Sequence, residues 1–281
     1  MLKLAAERCW QGPSIPMEEH LGGVRVLRFR PGGAAALSNG PAASVLHFHG
    51  GGYRWGCPEY LAPFASELSR QCRVEVICPA YRLAPEHPYP AALYDARAVL
   101  RTLAASASES IPCILSGDSA GGGLAAGLAL LALAEDIPLA GLVLLSAWLD
   151  LSVSTPSYVA NADTDPLFSL QAARLAADLY LQGAAAEEPL ASPLYATLKG
   201  LPPTFISVGQ GEVLADDSRR FHEALTAAGV PSELHALAQM THIAVVRDRS
   251  APGAAETFTR LGAFIDARVR VAGFKTPRPP L

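Results

Sequence analysis

Strand-like and helix-like segments alternate along most of the 281-residue chain. Short apolar runs rich in Val, Ile and Leu, such as residues 44–49 and 111–116, are each followed by a helical pattern. A parallel sheet needs crossover connections of this kind, because consecutive parallel strands begin at the same edge. The alternation therefore predicts an α/β fold with a mostly parallel central sheet flanked by helices.

One long segment interrupts the alternation. Residues 152–201 contain several prolines and a helical pattern at 169–181, which is typical of a cap-like insertion within a single domain spanning 1–281. The proline-rich residues 275–281 predict a flexible tail. We expect core strands at 24–29, 44–49, 74–78, 111–116, 142–145, 205–208 and 233–237, and core helices at 62–71, 94–104, 121–134, 216–228 and 255–271.

Composition excludes several classes of protein. Half of the residues are hydrophobic and the net charge is only −4, which excludes both a disordered chain and a basic nucleic-acid-binding surface. The five cysteines have no metal-ligand spacing, so we expect no metal site. The N-terminus lacks the apolar core of a signal peptide, and no apolar run reaches the ~20 residues of a membrane span. These features predict a cytoplasmic protein with no membrane partner.

The strongest local motif is GDSAG at residues 117–121, between a predicted strand and a predicted helix. Small residues around Ser119 allow the sharp turn that lifts a serine above the sheet. The N-terminus of the next helix favours a developing oxyanion nearby. The motif predicts that Ser119 is a nucleophile, and the alternative is an ordinary helix N-cap.

A second motif, His49 followed by three glycines, comes directly after another buried strand. Consecutive glycines let backbone N–H groups face a substrate oxygen, as an oxyanion hole requires. A phosphate cradle is the alternative, but the spacings of a P-loop and of a dinucleotide-binding turn are both missing from the sequence. We expect His49 to organise this loop rather than to transfer protons.

A serine nucleophile needs a base, and the base needs an acid that orients it. Of the seven histidines, His242 follows the last predicted strand, where the order Ser–acid–His of α/β-hydrolases places the base. Glu212 follows the strand at 205–208 and is the expected acid. Asp216 is the alternative, although Asp216 and Asp217 also suit the first turn of the next helix.

Four motifs in combination are specific: HFHGGGY at 47–53, YRLAPEHPYPAAL at 81–93, GDSAGGGLA at 117–125 and GxxExLxDD at 209–217. In these residues the chain resembles the hormone-sensitive-lipase-like family of α/β-hydrolases, the bacterial carboxylesterases with an HGGG motif. Segments 148–151 and 163–166 further resemble its acetyl-esterase and monoterpene-lactone-hydrolase branch. The resemblance implies an α/β-hydrolase fold, a triad of Ser119, Glu212 and His242, and oxyanion-hole N–H groups on Gly51, Gly52 and Ala120.

Two departures from the family pattern are informative. Glu212 stands where most relatives have Asp, although Glu is known at this place in the branch. Only residues 1–48 precede His49, which is short for the family and predicts a reduced helical cap over a more open pocket. Tyr53 and Trp148 are candidate substrate-binding residues, with burial in the core as the alternative.

Together these features predict a serine carboxylesterase that hydrolyses short- to medium-chain carboxylic esters through an acyl-enzyme, without a cofactor. A lactone hydrolase or an acyl-transferring biosynthetic enzyme with the same triad is the alternative. A non-catalytic ligand-binding relative is a more distant one. The expected partner is a small-molecule ester or lactone. An exposed edge of the strand at 233–237 would allow a second copy of the chain to pair with it in a homodimer.

Overall fold

A computed structural model describes residues 16–31, 41–106 and 111–271 of the protein. The strands are β1 Met17–Leu21, β2 Val24–Phe29, β3 Ser44–Phe48, β4 Glu75–Pro79, β5 Cys113–Asp118, β6 Gly141–Leu145, β7 Thr204–Gly209 and β8 Ser232–Leu237. The helices are α1 Ala62–Cys72, α2 Ala91–Ser106, α3 Ala120–Ala134, α4 Ser157–Ala160, α5 Leu170–Leu181, α6 Ala215–Ala227, α7 Ala244–Arg247 and α8 Ala254–Val271.

The strands form one eight-stranded sheet in the order β1-β2-β4-β3-β5-β6-β7-β8. The pairs β1–β2 and β2–β4 are antiparallel, and every other neighbouring pair is parallel. The predicted α/β architecture is confirmed. Because β3 to β8 point the same way, the loops that follow β3, β5, β6, β7 and β8 all gather at one edge of the sheet, where α/β folds place their sites.

Side chains alternate between two hydrophobic cores, one on each face of the sheet. In β3, Leu46 and Phe48 face one core and Val45 faces the other, as the two-residue period of a strand requires. The first core is covered by α2, α3 and α6, and the second by α1 and α8. Burial on both faces explains why the central strands are mostly apolar in sequence.

The elements missed by the sequence prediction are short or polar. Strand β1, with the sequence MEEHL, is mostly exposed and is held by its backbone pairing with β2 rather than by an apolar pattern. Helices α4 and α7 have four residues each, which is too short for a 3.6-residue period to show. The predicted core elements agree with the structure to within about three residues at their ends.

The segment 152–201 contains α4, α5 and a 3₁₀ turn at Pro193–Tyr195. Helix α5 lies over the glycine loop after β3, since a Cβ added to Gly52 would be 3.3 Å from the Cβ of Ala176. The predicted tail at 275–281 and Cys9 lie outside the described residues. So do residues 1–15 and 32–40, which form part of the segment from which a reduced cap is predicted.

Three of the expectations concern the cysteines, metal sites and membrane spans of the described residues. Cys57, Cys72, Cys78 and Cys113 are free thiols. No group of three or more His, Cys, Asp or Glu side chains in the described ranges is arranged to hold a metal ion. Among the helices described, none combines the length and the apolar character that crossing a membrane requires.

Candidate active site

Ser119 occupies the turn between β5 and α3, with φ 52° and ψ −123°. This strained conformation is the one expected of a serine raised above a sheet. The chain approaches itself closely here, because a Cβ on Gly121 would lie 2.1 Å from the carbonyl oxygen of Phe48. The Ser119 N–H donates to the Leu145 carbonyl at 3.0 Å, and the Ser119 carbonyl accepts from the Trp148 N–H at 2.9 Å. The turn is therefore fixed by backbone contacts to both neighbouring strands.

The predicted nucleophile, base and acid lie in one hydrogen-bonded row. Nε2 of His242 is 3.1 Å from Oγ of Ser119, and Nδ1 of His242 is 2.8 Å from Oε2 of Glu212. All three side chains are buried. A proton on Nδ1 is donated to Glu212 and leaves Nε2 free to accept the Ser119 proton, which is the arrangement of a general base.

The carboxylate of Glu212 is fully occupied. Its Oε1 accepts hydrogen bonds from the Gly209 N–H and, at 2.9 Å, from the hydroxyl of Ser146. Asp216, the alternative acid, instead accepts from the Ser157 N–H at 2.9 Å and pairs with Arg219. Glu212 is therefore the carboxylate beside His242.

Two opposing effects act on the pKa of His242. Burial lowers this pKa, but the hydrogen bond to Glu212 and the charge of that carboxylate outweigh burial, so the net pKa is raised. The ring of Phe168 stacks on the imidazole with centroids 5.9 Å apart and planes at 13°. The base is thus held by a carboxylate on its edge and by an aromatic ring on its face.

The glycine loop after β3 is tied to the nucleophile turn. The Gly50 N–H donates to Oδ2 of Asp118 at 3.0 Å, and Oδ1 of Asp118 lies 3.2 Å from Nε2 of His47. Gly51 and Gly52 have φ of 117° and 61°, a region that glycine adopts without strain. Within the described part of the chain, their N–H groups have no hydrogen-bond acceptor. These amides remain available as donors to a substrate oxygen.

His49 organises this loop. Its Nδ1 donates to the Gly50 carbonyl at 2.7 Å, and its ring stacks on Tyr81 with centroids 4.3 Å apart. The Tyr81 hydroxyl donates to the His49 carbonyl at 2.6 Å. Burial lowers the pKa of His49, which favours the neutral ring. With one face stacked on Tyr81 and its Nδ1 hydrogen-bonded, the side chain braces the loop, as the sequence predicts.

Residues 45–246 match the model of a family described as having an alpha/beta hydrolase fold. The chain belongs to this α/β-hydrolase family. An acetyl-hydrolase of Streptomyces hygroscopicus is 38% identical over 202 residues, which are 71% of this chain and 67% of that protein. Carboxylesterase NlhH of Mycobacterium tuberculosis is 34% identical over 228 residues, 77% of this chain and 70% of that protein.

Solved structures give the same result. The crystal structure of EstE7, a homologue of hormone-sensitive lipase from a metagenome library, matches with a TM-score of 0.88 and 36% identity. The match covers 95% of this chain and 91% of that one. An esterase from the bacterial hormone-sensitive lipase family matches with a TM-score of 0.87 and 32% identity, over 95% and 89% of the two chains. The family resemblance predicted from the motifs is confirmed.

The hydrolase buries both residues that the sequence offers as substrate contacts. Tyr53 is 1% exposed and Trp148 is 0% exposed. Tyr53 stacks on Tyr180 at 3.8 Å, and the indole N–H of Trp148 donates to the Asp150 carbonyl at 3.0 Å. Neither ring presents surface to a substrate in this structure, and their role in substrate binding stays a prediction.

A set of polar side chains missed by sequence reasoning holds the acid loop of the hydrolase. The amide of Asn161 donates to the carbonyls of Gln210 and Glu212 at 2.9 and 2.7 Å, and the Val213 N–H donates to Asp165 at 3.0 Å. Segment 152–201 is thus fastened, through Asn161 and Asp165, to the loop that carries Glu212. Asp165 lies in the segment 163–166 that resembles the family, but neither that resemblance nor the isolated Asn161 indicated these contacts in the sequence.

Asp217 lies in the first turn of α6, as predicted, but its carboxylate has a further role. The sequence places it in the first turn of α6, where a carboxylate favours the helix dipole. The carboxylate is instead completely buried and accepts from the N–H groups of Leu149 and Asp150 at 2.9 and 3.0 Å, and from the Thr155 hydroxyl at 3.1 Å. It anchors the loop after β6, so the contact that decides its role is made far away in sequence.

Proposed function

We propose that this α/β-hydrolase cleaves small carboxylic esters through a covalent acyl-enzyme formed on Ser119. The observation that carries the proposal is the row of hydrogen bonds from Ser119 Oγ through His242 to Glu212, at 3.1 and 2.8 Å. The names of the similar proteins, acetyl-hydrolase, esterase and carboxylesterase, support the same reaction class. No metal or organic cofactor is needed for this chemistry.

Acylation begins when Oγ of Ser119 attacks the ester carbonyl and Nε2 of His242 takes the hydroxyl proton. The tetrahedral oxyanion is stabilised by the N–H groups proposed as the oxyanion hole, those of Gly51, Gly52 and Ala120. Collapse of this intermediate breaks the ester C–O bond, and His242 gives its proton to the departing alcohol. Glu212 holds the imidazole in the required tautomer and stabilises its charged form.

Deacylation repeats these steps with water as the nucleophile. His242 takes one proton from the water as its oxygen attacks the acyl carbonyl, and then returns that proton to Oγ of Ser119. The products are a carboxylic acid, an alcohol and the free enzyme.

We propose esters of short- to medium-chain acyl groups as the substrates. We also propose that residues 1–281 form one domain, in which residues 152–201 are the cap over the site.

Hydrolysis of p-nitrophenyl acetate, butyrate and octanoate tests the proposal. We expect Ser119→Ala to lose at least about a thousandfold in kcat, as the removal of a nucleophile does in other serine hydrolases. Equal turnover by wild type and Ser119→Ala would refute it. Product analysis in water with an added alcohol separates hydrolysis from acyl transfer, because transfer yields a new ester.

The acid assignment is tested with a matched pair of variants. Glu212→Gln should lower kcat by about 10²–10⁴, because an amide cannot stabilise the charged imidazole and favours the wrong tautomer. Asp216→Asn is the control, since this carboxylate lies four residues further on, in the first turn of α6, and has no contact with His242 among the described residues. If Asp216→Asn lowers kcat as much as Glu212→Gln does, the assignment of the acid to Glu212 is wrong.

A further inference from the structure

The hydroxyl of Ser146 lies between the acid and the loop that carries the base. Its Oγ donates to Oε1 of Glu212 at 2.9 Å and accepts from the N–H of Ile243 at 3.1 Å. Ser146 directly follows β6 and is buried. A single oxygen atom therefore contacts the proposed catalytic carboxylate and the peptide group next to His242.

The backbone on both sides of this contact is strained. Ser146 has φ 48° and Ile243 has φ 50°, and a β-branched residue such as isoleucine is rarely found there. Strained residues persist only where the surrounding structure fixes them. The Ser146 N–H donates to the Ser207 carbonyl on β7 at 2.7 Å, and the Ser146 hydroxyl receives the Ile243 N–H. The hydroxyl thus connects β6 to the conformation of the His242 loop.

We propose that Ser146 is a positioning residue, which holds Glu212 and the His242 loop in the geometry for proton transfer. A glutamate has three rotatable side-chain bonds, so Oε2 can stay directed at His242 only if Oε1 is held as well. The Ser146 hydroxyl holds Oε1 from one side and the Gly209 N–H holds it from another. The inference rests on the proposed function, since it assigns Ser146 a role in the same reaction.

The neighbouring strand offers a matched control. Ser207 on β7 is also completely buried, but its hydroxyl has no hydrogen-bond partner within the described structure. Ser207→Ala removes a buried hydroxyl beside Ser146 without removing a contact to the triad. Ser146→Gly distinguishes the effect of losing the hydroxyl from the effect of backbone strain, because glycine accepts a positive φ without strain whereas alanine does not.

The experiment measures kcat and KM for p-nitrophenyl acetate together with urea unfolding of each variant. We expect Ser146→Ala and Ser146→Gly to lower kcat by about 10- to 100-fold, the scale of a small misplacement of catalytic groups, with KM changed less than about twofold. Ser146→Gly should be at least as stable as Ser146→Ala but no more active. Ser207→Ala should keep the wild-type kcat.

Three results would overturn the inference. The first is wild-type kcat in both Ser146 variants, and the second is recovery of kcat in Ser146→Gly, which assigns the effect to backbone strain. The third is an equal loss in Ser207→Ala, which assigns it to any buried hydroxyl. The rate of Ser119 labelling by a fluorophosphonate gives a readout without ester turnover. Slower labelling in the Ser146 variants supports the inference even if wild type hydrolyses no ester, and unlabelled wild type rejects both proposals.

Discussion

Replacing Asp118 by alanine should weaken both the fold and the oxyanion loop, because the Asp118 carboxylate joins the two. It is completely buried, accepts the Gly50 N–H at 3.0 Å and lies 3.2 Å from Nε2 of His47. With its proton on Nε2, His47 donates to Asp118 and its Nδ1 accepts from the Ser116 hydroxyl at 2.8 Å. Alanine leaves the Gly50 N–H and the His47 N–H buried without an acceptor.

The size of the effect follows from these two donors. Each buried polar group left unpaired costs about 1–3 kcal/mol, so Asp118→Ala should lose about 2–6 kcal/mol of unfolding free energy. That is a large share of the about 5–15 kcal/mol of a typical domain. The loop with Gly51 and Gly52 also loses its anchor, so kcat should fall towards the about 10²–10³ lost with one oxyanion donor. Asp118→Asn keeps an acceptor for Gly50 and should lose only about 1 kcal/mol.

Urea unfolding followed by circular dichroism measures the stability. The effect on the oxyanion loop is measured as kcat for p-nitrophenyl acetate per active site, with active sites counted as the fraction of Ser119 that a fluorophosphonate labels. The asparagine variant is the matched control, because it removes the charge and keeps the acceptor. The reasoning fails if Asp118→Ala unfolds at the wild-type urea concentration with the wild-type kcat. It also fails if Asp118→Asn is damaged as much as Asp118→Ala, since charge rather than hydrogen bonding would then decide.

Three further perturbations test other parts of the structure. Only the neutral His242 ring accepts a proton, and its pKa is raised, so kcat/KM should begin to fall at a pH above the ordinary histidine pKa as the solution is acidified. Glu212→Gln removes the carboxylate and leaves burial to lower the pKa of His242, so the acid limb of the pH profile should move to lower pH. An acid limb that does not move contradicts the assignment of Glu212. A Cβ on Gly121 would lie 2.1 Å from a backbone oxygen, whereas the nearest atom to a Cβ on Gly262 would be 3.6 Å away. Urea unfolding should therefore show that Gly121→Ala is strongly destabilised and that Gly262→Ala is stabilised by about 0.5–1 kcal/mol. Equal stabilities of the two variants would reject the packing argument. Burial raises the pKa of Asp217 from 3.8 to about 7, so ionisation of its carboxyl progressively lowers the stability of the wild type as pH rises between these values. The stability of Asp217→Asn relative to wild type should therefore rise over that pH range. A stability difference that does not depend on pH contradicts this.

The sequence predicts the strands and helices that have a regular apolar period, and the site residues that directly follow such strands. Ser119, Glu212 and His242 each come soon after a buried apolar run, in a fixed order, and such runs are recognisable without long-range information. Strand β1 has no apolar pattern because its stability comes from backbone pairing. The period of a strand or helix is a local property, so it predicts only what burial of one face requires.

The contacts that support the site are the part that sequence could not predict. Asn161 donates to carbonyls about 50 residues away, and Ser146 contacts Glu212 and Ile243 across 66 and 97 residues. Each is a single polar residue with no partner at a regular spacing. Their roles depend on which loops the sheet order brings together, and that order is decided by the packing of the whole domain.

The place of His242 after β8 has a consequence for how activity is lost on heating. Strand β8 is one of the two edge strands of the described sheet and pairs only with β7, whereas Ser119 follows the central strand β5. Edge strands open at a lower free energy than central ones. Opening of β8 would carry the base away while the nucleophile turn stays folded, so thermal inactivation should precede the melting of the domain as a whole.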